Sequence, residues 1–552
     1  MSTGSVLRPS LAGQQFEVVV IGGGVNGVAI ARECVRAGRR TLLLEQNDFA
    51  SGTTSRATRI IHGGLRYLQY AEVSLVRESL QERERLLREQ PHLVRPIRFI
   101  LALNDQYKHN ALQVRAGLWL YSRLAGHRLN LDLAKTDLRE FERRLDRGQK
   151  WSLFEYDDAQ CEFPERLVAE WLTDAAKAGA ALRNYCRVLD VLHQDGKVTG
   201  VLYRDRLTDE ECSVECKWVV NATGPWVDQM CAQASVPTGG PLIGGVRGSH
   251  IVLPRFAESP DTAVYTQASD GRPMFVIPWN DQLLVGTTEV PDRNDPSKVA
   301  PSPEEIDYLL QAVNRMFPAA RMTNADIHYS YAGIRPLPFV RDAEPAAITR
   351  KSLLWDHKHD GLSGMISVIG GKLTTAGSLA RYCARAMGFR PEPQASVEVA
   401  AGLASGIEGA LWHWAETMAR RSGLPISSAY QIAAWHGPRA MCVMRRAMTD
   451  PLARKPLCPH SDHIVAEAVN ALHYEHAVTL GDVLLRRVPV ALGACWTPQC
   501  SKAAATAIGA TMGWDSTEIE WQLETLETER KAFLFKPGGQ FARSLEPADR
   551  SA

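Results

Sequence analysis

The sequence predicts an α/β protein in three parts: a parallel-sheet unit beginning near residue 16, a β-rich second unit, and an all-helical unit from about residue 395. Three observations carry that prediction. Phe16 to Glu45 reads as strand, glycine turn, helix and second strand. Residues 242–288 hold four short β-branched or aromatic runs separated by turn residues. Beyond 395 the composition shifts to helix formers and tryptophans. With 552 residues, 45% hydrophobic and 23% charged, the chain is globular in composition and too long for a single core.

In the first unit, Phe16 and Val18–Ile21 form an apolar run of the kind buried in a parallel sheet. Gly22, Gly24 and Gly27 follow. Val28, Ile30, Ala31, Cys34 and Val35 then fall at helical spacing, and Gly38, the strand Thr41–Leu44 and Glu45 complete the unit. In this grammar the first glycine makes a tight turn, the second lets a diphosphate approach the backbone, and the third lets the helix pack on the sheet. Glu45, 18 positions beyond Gly27, can accept ribose hydroxyls, and its charge argues against a ribose phosphate. The stretch points to NAD or FAD without choosing between them.

Residues 51–70 join small hydroxyl side chains (Ser51, Thr53, Thr54, Ser55, Thr58) to His62-Gly63-Gly64 and Arg66-Tyr67. Ile60, Ile61, Leu65 and Leu68 would bury this run, and buried donors need partners, which suits a polar cofactor face. Residues 75–90 read as a surface helix with a Glu84–Arg88 pair, 98–103 as a strand, 111–124 as a helix and 131–150 as a charged excursion. A helix over 164–181 precedes strands at 182–192, 198–203 and 216–220, then a small turn through Ala222, Thr223 and Gly224. Another helix is expected over 303–316. Arg335 and Arg350, taken singly, read as surface charges. Met365–Thr375 repeats the strand-to-glycine-turn grammar, with Gly370, Gly371 and Lys372 where a helix N-terminus meets an anion.

A net charge of +1 and a pI near 7.6 give no general pull toward nucleic acid, and no nucleic-acid partner is expected. Eleven cysteines without regular spacing suit free thiols in a reducing compartment. Residues 1–15 are expected as a loose tail without a secretory signal, and no apolar run approaches the roughly 20 residues needed to span a bilayer. Cys458, His460, Asp462 and His463 are metal-like in type, but their spacing matches no common zinc pattern, and Cys212 and Cys216 sit too far apart. No metal is expected.

With IGGGVNG, IHGGLRYL, NATGPWVD, RGSHIVLP, YAGIRPL, AITR and ISVIGGKLTT in this order, the chain resembles the FAD-dependent glycerol-3-phosphate dehydrogenases from about Phe16 to Ala386. HYEHAVTLGDVLLRRV resembles that family's C-terminal domain. Seven ordered motifs are far more specific than any one alone. The resemblance implies a Rossmann-like FAD-binding domain (16–100, 150–240, 355–390) and a β-rich, D-amino-acid-oxidase-like cap (101–149, 241–354). It also implies an all-α C-terminal domain (395–540) and a tail (541–552). FAD replaces NAD as the expected cofactor, and the implied reaction takes sn-glycerol 3-phosphate to dihydroxyacetone phosphate. Electrons would pass to a membrane quinone from a cytoplasmic enzyme held peripherally on the inner face of the membrane, with room for a homodimer.

Position by position, the resemblance matches Gly22, Gly24, Asn26, Gly27 and Glu45 to the adenosine-diphosphate site. It matches Ser51, Thr53, Thr54, Ser55, His62, Gly63 and Gly64 to the flank of the flavin. Ala222, Thr223 and Gly224 match a second cofactor turn, and Gly370, Gly371, Lys372, Leu373 and Thr374 the closing one. Arg66, Tyr67, His250, Arg335, Arg350 and Lys372 match the residues around the substrate. Arginine forks bind phosphate oxygens through paired bonds, so Arg335, Arg350 and Lys372 together make a phosphate clamp.

A hydride would pass to the flavin while a base takes the hydroxyl proton; His250 is the first choice, His62 the second, and Arg335 a third catalytic candidate. Three departures from the family pattern stand out: Ala57 and Arg59 before the His-Gly-Gly, CEFPERL at 161–167, and RRVP at 486–489. They leave room for a related substrate such as erythritol phosphate. An oxidase using oxygen and a non-catalytic flavin-binding partner protein are the alternatives, and an NAD-dependent dehydrogenase is the weakest reading.

Overall fold

The computed structural model describes residues 8–104, 111–125, 136–268, 270–390 and 406–533. The apolar run Val18–Ile21 becomes the interior of a six-stranded sheet. Its order is Leu353–Asp356, Met365–Ile369, Trp218–Asn221, Val18–Ile21, Thr41–Leu44, Ala181–Arg183, parallel except for the first pair. Strand alternation divides the apolar side chains between two layers. Val18 and Val20 pack under the helices Val25–Arg36, Pro164–Lys177 and Ala376–Ala386. Val19 and Ile21 pack under a three-stranded sheet built from Cys186–Gln194, Lys197–Asp205 and Glu210–Glu215.

The predicted strand 182–192 is two strands. Tyr185, at φ +57°, breaks it, so Ala181–Arg183 closes the first sheet and Cys186–Gln194 opens the small one. Glu210–Glu215, whose EECSVE sequence hides only two of six side chains, had no apolar signal. Residues 8–15, expected within a loose tail, are docked: Leu11 is buried and Arg8 donates to the Asn184 carbonyl at 2.9 Å. The tail 541–552 and residues 131–135 lie outside the described residues.

The second sheet has nine strands, running Val290–Pro291, Ile243–Leu253, Gln282–Gly286, Pro273–Trp279, Ala263–Gln267, Val94–Asn104, Trp151–Cys161, Ile60–Ile61, with Tyr329–Pro338 paired on Ile243–Leu253. Boundaries at 100 and 150 would cut it. Val94–Asn104 pairs with Trp151–Cys161 over its whole length, from Val94↔Cys161 to Asn104↔Trp151, and both strands therefore belong with the cap. The helix Pro303–Met316 forms where predicted, started by a Ser302–Glu305 capping box.

The C-terminal helices have a core of their own, where Leu411, Ile432 and Val443 are buried together, and they join the preceding units through a second one. Trp435, Val465, Leu484, Ile508 and Leu526 share one buried cluster with Phe163, Trp279 and Tyr329 of the preceding units. Charge reinforces the junction: Arg487 donates to both Asp48 oxygens at 2.8 Å, Arg486 reaches the same carboxylate, and Arg166 pairs with Glu475 at 2.6 Å.

Candidate functional site

Parallel pairing places the C-terminal ends of Val18–Ile21, Trp218–Asn221 and Met365–Ile369 side by side, so three glycine turns distant in sequence form one rim. Gly22 has φ +104°, and a Cβ there would lie 2.6 Å from the Ala222 carbonyl oxygen; one on Gly27 would lie 1.8 Å from that of Gly22. Only glycine fits either place. Gly24 precedes the helix Val25–Arg36, whose first amide donates to Thr54 Oγ1 at 3.0 Å. At the end of the next strand, Glu45 accepts from the amides of Gly23 at 2.7 Å and Asn47 at 2.9 Å, with lone pairs to spare. Asn26 Oδ1 is buried on the cleft wall with no partner among the described residues.

The cleft runs from Glu45 and Gly22 past Thr223 and Gly370 to Leu373. There it meets a second cavity, sharing Thr53, Ala57, Pro336, Gly371, Lys372 and Leu373 as common wall. The far wall is a face of the second sheet. In the register His250↔Tyr331, Gly248↔Gly333, Val246↔Arg335, two glycines lie between His250 and Arg335. They make the hollow: a Cβ on Gly248 would lie 2.5 Å from the Arg335 guanidinium, and one on Gly333 2.6 Å from Arg56.

Positive charge gathers in this cavity. Arg335 donates to Thr287 Oγ1 at 2.9 Å and to the Thr288 carbonyl at 3.3 Å, and burial lowers its pKa to about 10. Arg350 pairs with Glu289 at 2.9 Å, and Arg66 approaches the same carboxylate at 3.6 Å. Lys372 donates to Ser79 Oγ at 2.8 Å and sits 4.6 Å over the Tyr67 ring, its pKa lowered by burial to about 8. The helix Val73–Glu89, expected only as a surface helix, therefore holds the lysine through its buried Ser79. Its i,i+4 ion pair is Arg85–Glu89, while Glu84 bonds Arg83.

His250 bonds Thr58 Oγ1 through Nε2 at 3.0 Å and stacks on Tyr331, its Nδ1 buried without a partner among the described residues. Burial, then the charges of Arg335 and Arg59, lower its pKa to about 3. His62 is likewise lowered to about 3, by burial and then Lys372 and Arg83. Both rings are neutral at neutral pH.

Every predicted substrate residue, Arg66, Tyr67, His250, Arg335, Arg350 and Lys372, lines the second cavity. Of the predicted cofactor residues, Gly27, Ser55 and Gly63 do not line either cavity. Gly27 packs the helix on the turn, Ser55 donates to the carbonyls of Ser51 and Gly52, and the Gly63 amide bonds Asp158 at 3.2 Å. Sequence reasoning missed Glu289, Thr287, Arg56 and Ser79, and at the other end Arg187, Trp226 and Met230. Only Glu289, an acid closing the GTTE turn after a strand, carried a readable signal.

The departures become legible together. Arg59 forms two 3.0 Å bonds to Glu165 of CEFPERL, both side chains fully buried, and lies 4.4 Å over the Trp279 ring; the RRVP arginines bind Asp48.

A dinucleotide cleft opening onto a cationic pocket beneath a second sheet defines a flavin-dependent oxidoreductase. Residues 17–377 match the FAD dependent oxidoreductase family, and 403–519 match the C-terminal domain of alpha-glycerophosphate oxidase. A glycerol-3-phosphate dehydrogenase of Synechocystis sp. is 35% identical over 542 residues, covering 94% of this chain and 96% of that protein. The D-erythritol 1-phosphate dehydrogenase of Brucella abortus is 36% identical over 370 residues, 66% of this chain and 72% of its own. The structure of the Bacillus halodurans glycerol-3-phosphate dehydrogenase complexed with FAD superposes with a TM-score of 0.73 at 26% identity, covering 95% of this chain and 96% of that one.

This chain belongs to the FAD-dependent glycerol-3-phosphate dehydrogenase family. Its cofactor is FAD, and the cleft fits it. The glycine rim leaves bare backbone that a diphosphate could approach, Glu45 keeps lone pairs free to accept hydroxyls, and the unpartnered Asn26 oxygen lies on the cleft wall.

Proposed function

We propose that the protein oxidises the secondary alcohol of sn-glycerol 3-phosphate to dihydroxyacetone phosphate and passes the electrons to a membrane quinone. The observation that carries this reading is the convergence of Arg66, Arg335, Arg350, Lys372 and a neutral His250 in one cavity that shares a wall with the FAD cleft. When bound, FAD accepts the hydride released by the alcohol carbon. The guanidinium forks and the ammonium bind the phosphate dianion, and Glu289, with one oxygen facing both Arg66 and Arg350, offsets their repulsion. His250 takes the hydroxyl proton. Arg335 disfavours a proton on this ring, so a dianion bound to Arg335 removes part of that repulsion and strengthens the base once substrate is in place. His62, whose pKa Lys372 also helps to lower, lines the same cavity.

Membrane contact is supported by the helix Ala111–Ala125, which exposes Leu112 (75%), Trp119 (63%) and Leu120 (36%) at i, i+7 and i+8 beside Arg115 and Arg123. No helix among the described residues is long and apolar enough to cross a membrane.

The test is anaerobic reduction of the yellow protein. Glycerol 3-phosphate bleaches the flavin and glycerol does not; bleaching by no polyol phosphate refutes the enzyme. The Brucella relative makes D-erythritol 1-phosphate the second substrate to assay, and faster bleaching by it would reassign the substrate. Reoxidation faster by oxygen than by a soluble quinone would make the protein an oxidase.

A further inference from the structure

One side-chain cluster outside both cavities has no part in flavin chemistry. A sulfur of Cys458, a ring nitrogen of His460 and the sulfur of Cys495 all lie within 4.8 Å of one another. Cys458 and His460 stand on a loop pinched shut by the Pro456–Ile464 bridge and by the Leu457 amide on the His463 carbonyl at 2.9 Å. Cys495 comes from the loop before the helix Pro498–Met512, a different segment of the chain. Asp462 and His463, grouped with the first two in sequence, turn away: Asp462 accepts from Ser427 at 2.8 Å and His463 bonds Glu467 at 2.9 Å.

We propose that Cys458, His460 and Cys495 bind a zinc ion that staples these two loops. Zinc–sulfur bonds of about 2.3 Å and zinc–nitrogen bonds of about 2.0–2.1 Å give a tetrahedron with edges of roughly 3.5–3.8 Å, so a contraction of at most about 1.3 Å per edge completes the set. Two thiols and an imidazole are the soft and intermediate ligands that favour zinc over calcium or magnesium. A disulfide between the cysteines would need no imidazole converging on both sulfurs. Exposure separates Cys495 from the rest: nine of the eleven cysteines are buried, and the other exposed one, Cys442, is not in the cluster. Water fills the fourth position, because Cys500, the next thiol, is engaged with the Cys495 carbonyl at 3.7 Å.

The staple has a mechanical target. The carbonyl of Leu492, three residues before Cys495, accepts from Asn280 at 3.2 Å, Gln282 at 3.0 Å and the Tyr329 hydroxyl at 3.0 Å, all on the cap sheet. Zinc would fix the loop through which the helical domain grips that sheet. The cluster lines neither cavity, so the proposed oxidation is independent of it.

The experiment loads the FAD-bound full chain with zinc under reducing, anaerobic conditions, dialyses it against metal-free buffer, and measures zinc per FAD by elemental mass spectrometry. Wild type and Cys442→Ser retain close to one zinc. Cys495→Ser and His460→Ala retain at least about tenfold less, with FAD content unchanged as the check on folding. Zinc also raises the melting midpoint of wild type and not of Cys495→Ser. If a variant fails to hold FAD, the two exposed thiols are titrated in wild type: zinc protects Cys495 and leaves Cys442 reactive. The proposal is overturned by zinc absent from wild type, by zinc retained in both ligand variants, by equal thiol reactivity with and without zinc, or by a Cys458–Cys495 disulfide in the anaerobically isolated protein.

Discussion

The two ends of the continuous cleft are built from different materials. At the glycine-turn end the shape is backbone: Gly22 at φ +104° and Gly27 against the Gly22 carbonyl, within a few residues of each other. At the cationic end it is chiefly side chains, brought by the loop after Ile60–Ile61, two paired strands of the second sheet and the turn after Met365–Ile369, around the hollow left by Gly248 and Gly333. A site made of backbone is written locally and has no tolerance for a side chain. A site made of charges is assembled at long range and degrades one contact at a time.

Substitutions at the two ends should therefore differ in kind. Gly27→Val, which sets a side chain into the Gly22 carbonyl, is expected to remove flavin altogether, read as loss of the yellow absorbance from whatever protein folds. At the other end His250→Asn should keep full flavin content while slowing its anaerobic reduction by about 10²–10⁴-fold; an unchanged rate would move the base to His62. Arg335→Ala removes hydrogen-bonded charge from the clamp and should cost about 10–100-fold in kcat/KM, with Arg335→Lys recovering only part because the fork is lost. The smallest effect is set by pH. Lys372, lowered to about 8, loses its ammonium as pH rises through that value, so KM should climb above pH 8 in wild type and stay level in Lys372→Arg, while no acid limb from His250 appears near pH 6.5.

The same contrast explains what could be read from the sequence. Gly22, Gly24, Gly370 and Gly371 were legible because a turn announces itself in four or five residues; that their three strands are neighbours was not, since strand order is a tertiary fact. Arg335 and Arg350 looked like surface charges until the motifs were taken together, because one arginine carries no record of its partners. Glu289, Ser79 and Thr287 were missed for that reason. Pairings such as Arg59–Glu165 and Arg487–Asp48 looked like departures from a pattern, since their partners lie in different segments. The helix Val73–Glu89 showed a correct apolar stripe, but periodicity does not say that Ser79 would hold a lysine. Tyr185 broke a run that its apolar flanks had suggested was continuous.

The Arg487–Asp48 contact also fixes an order of events. Asp48 lies just past the strand whose end carries Glu45, yet the guanidinium that neutralises it emerges from the ribosome some 440 residues later. Before that, among the described residues, the earlier segments offer Asp48 only a neutral partner, the Asn184 amide at 3.2 Å, and a buried carboxylate without its cation costs about 3–5 kcal/mol. Charge balance beside Glu45 is thereby supplied by the helical segment.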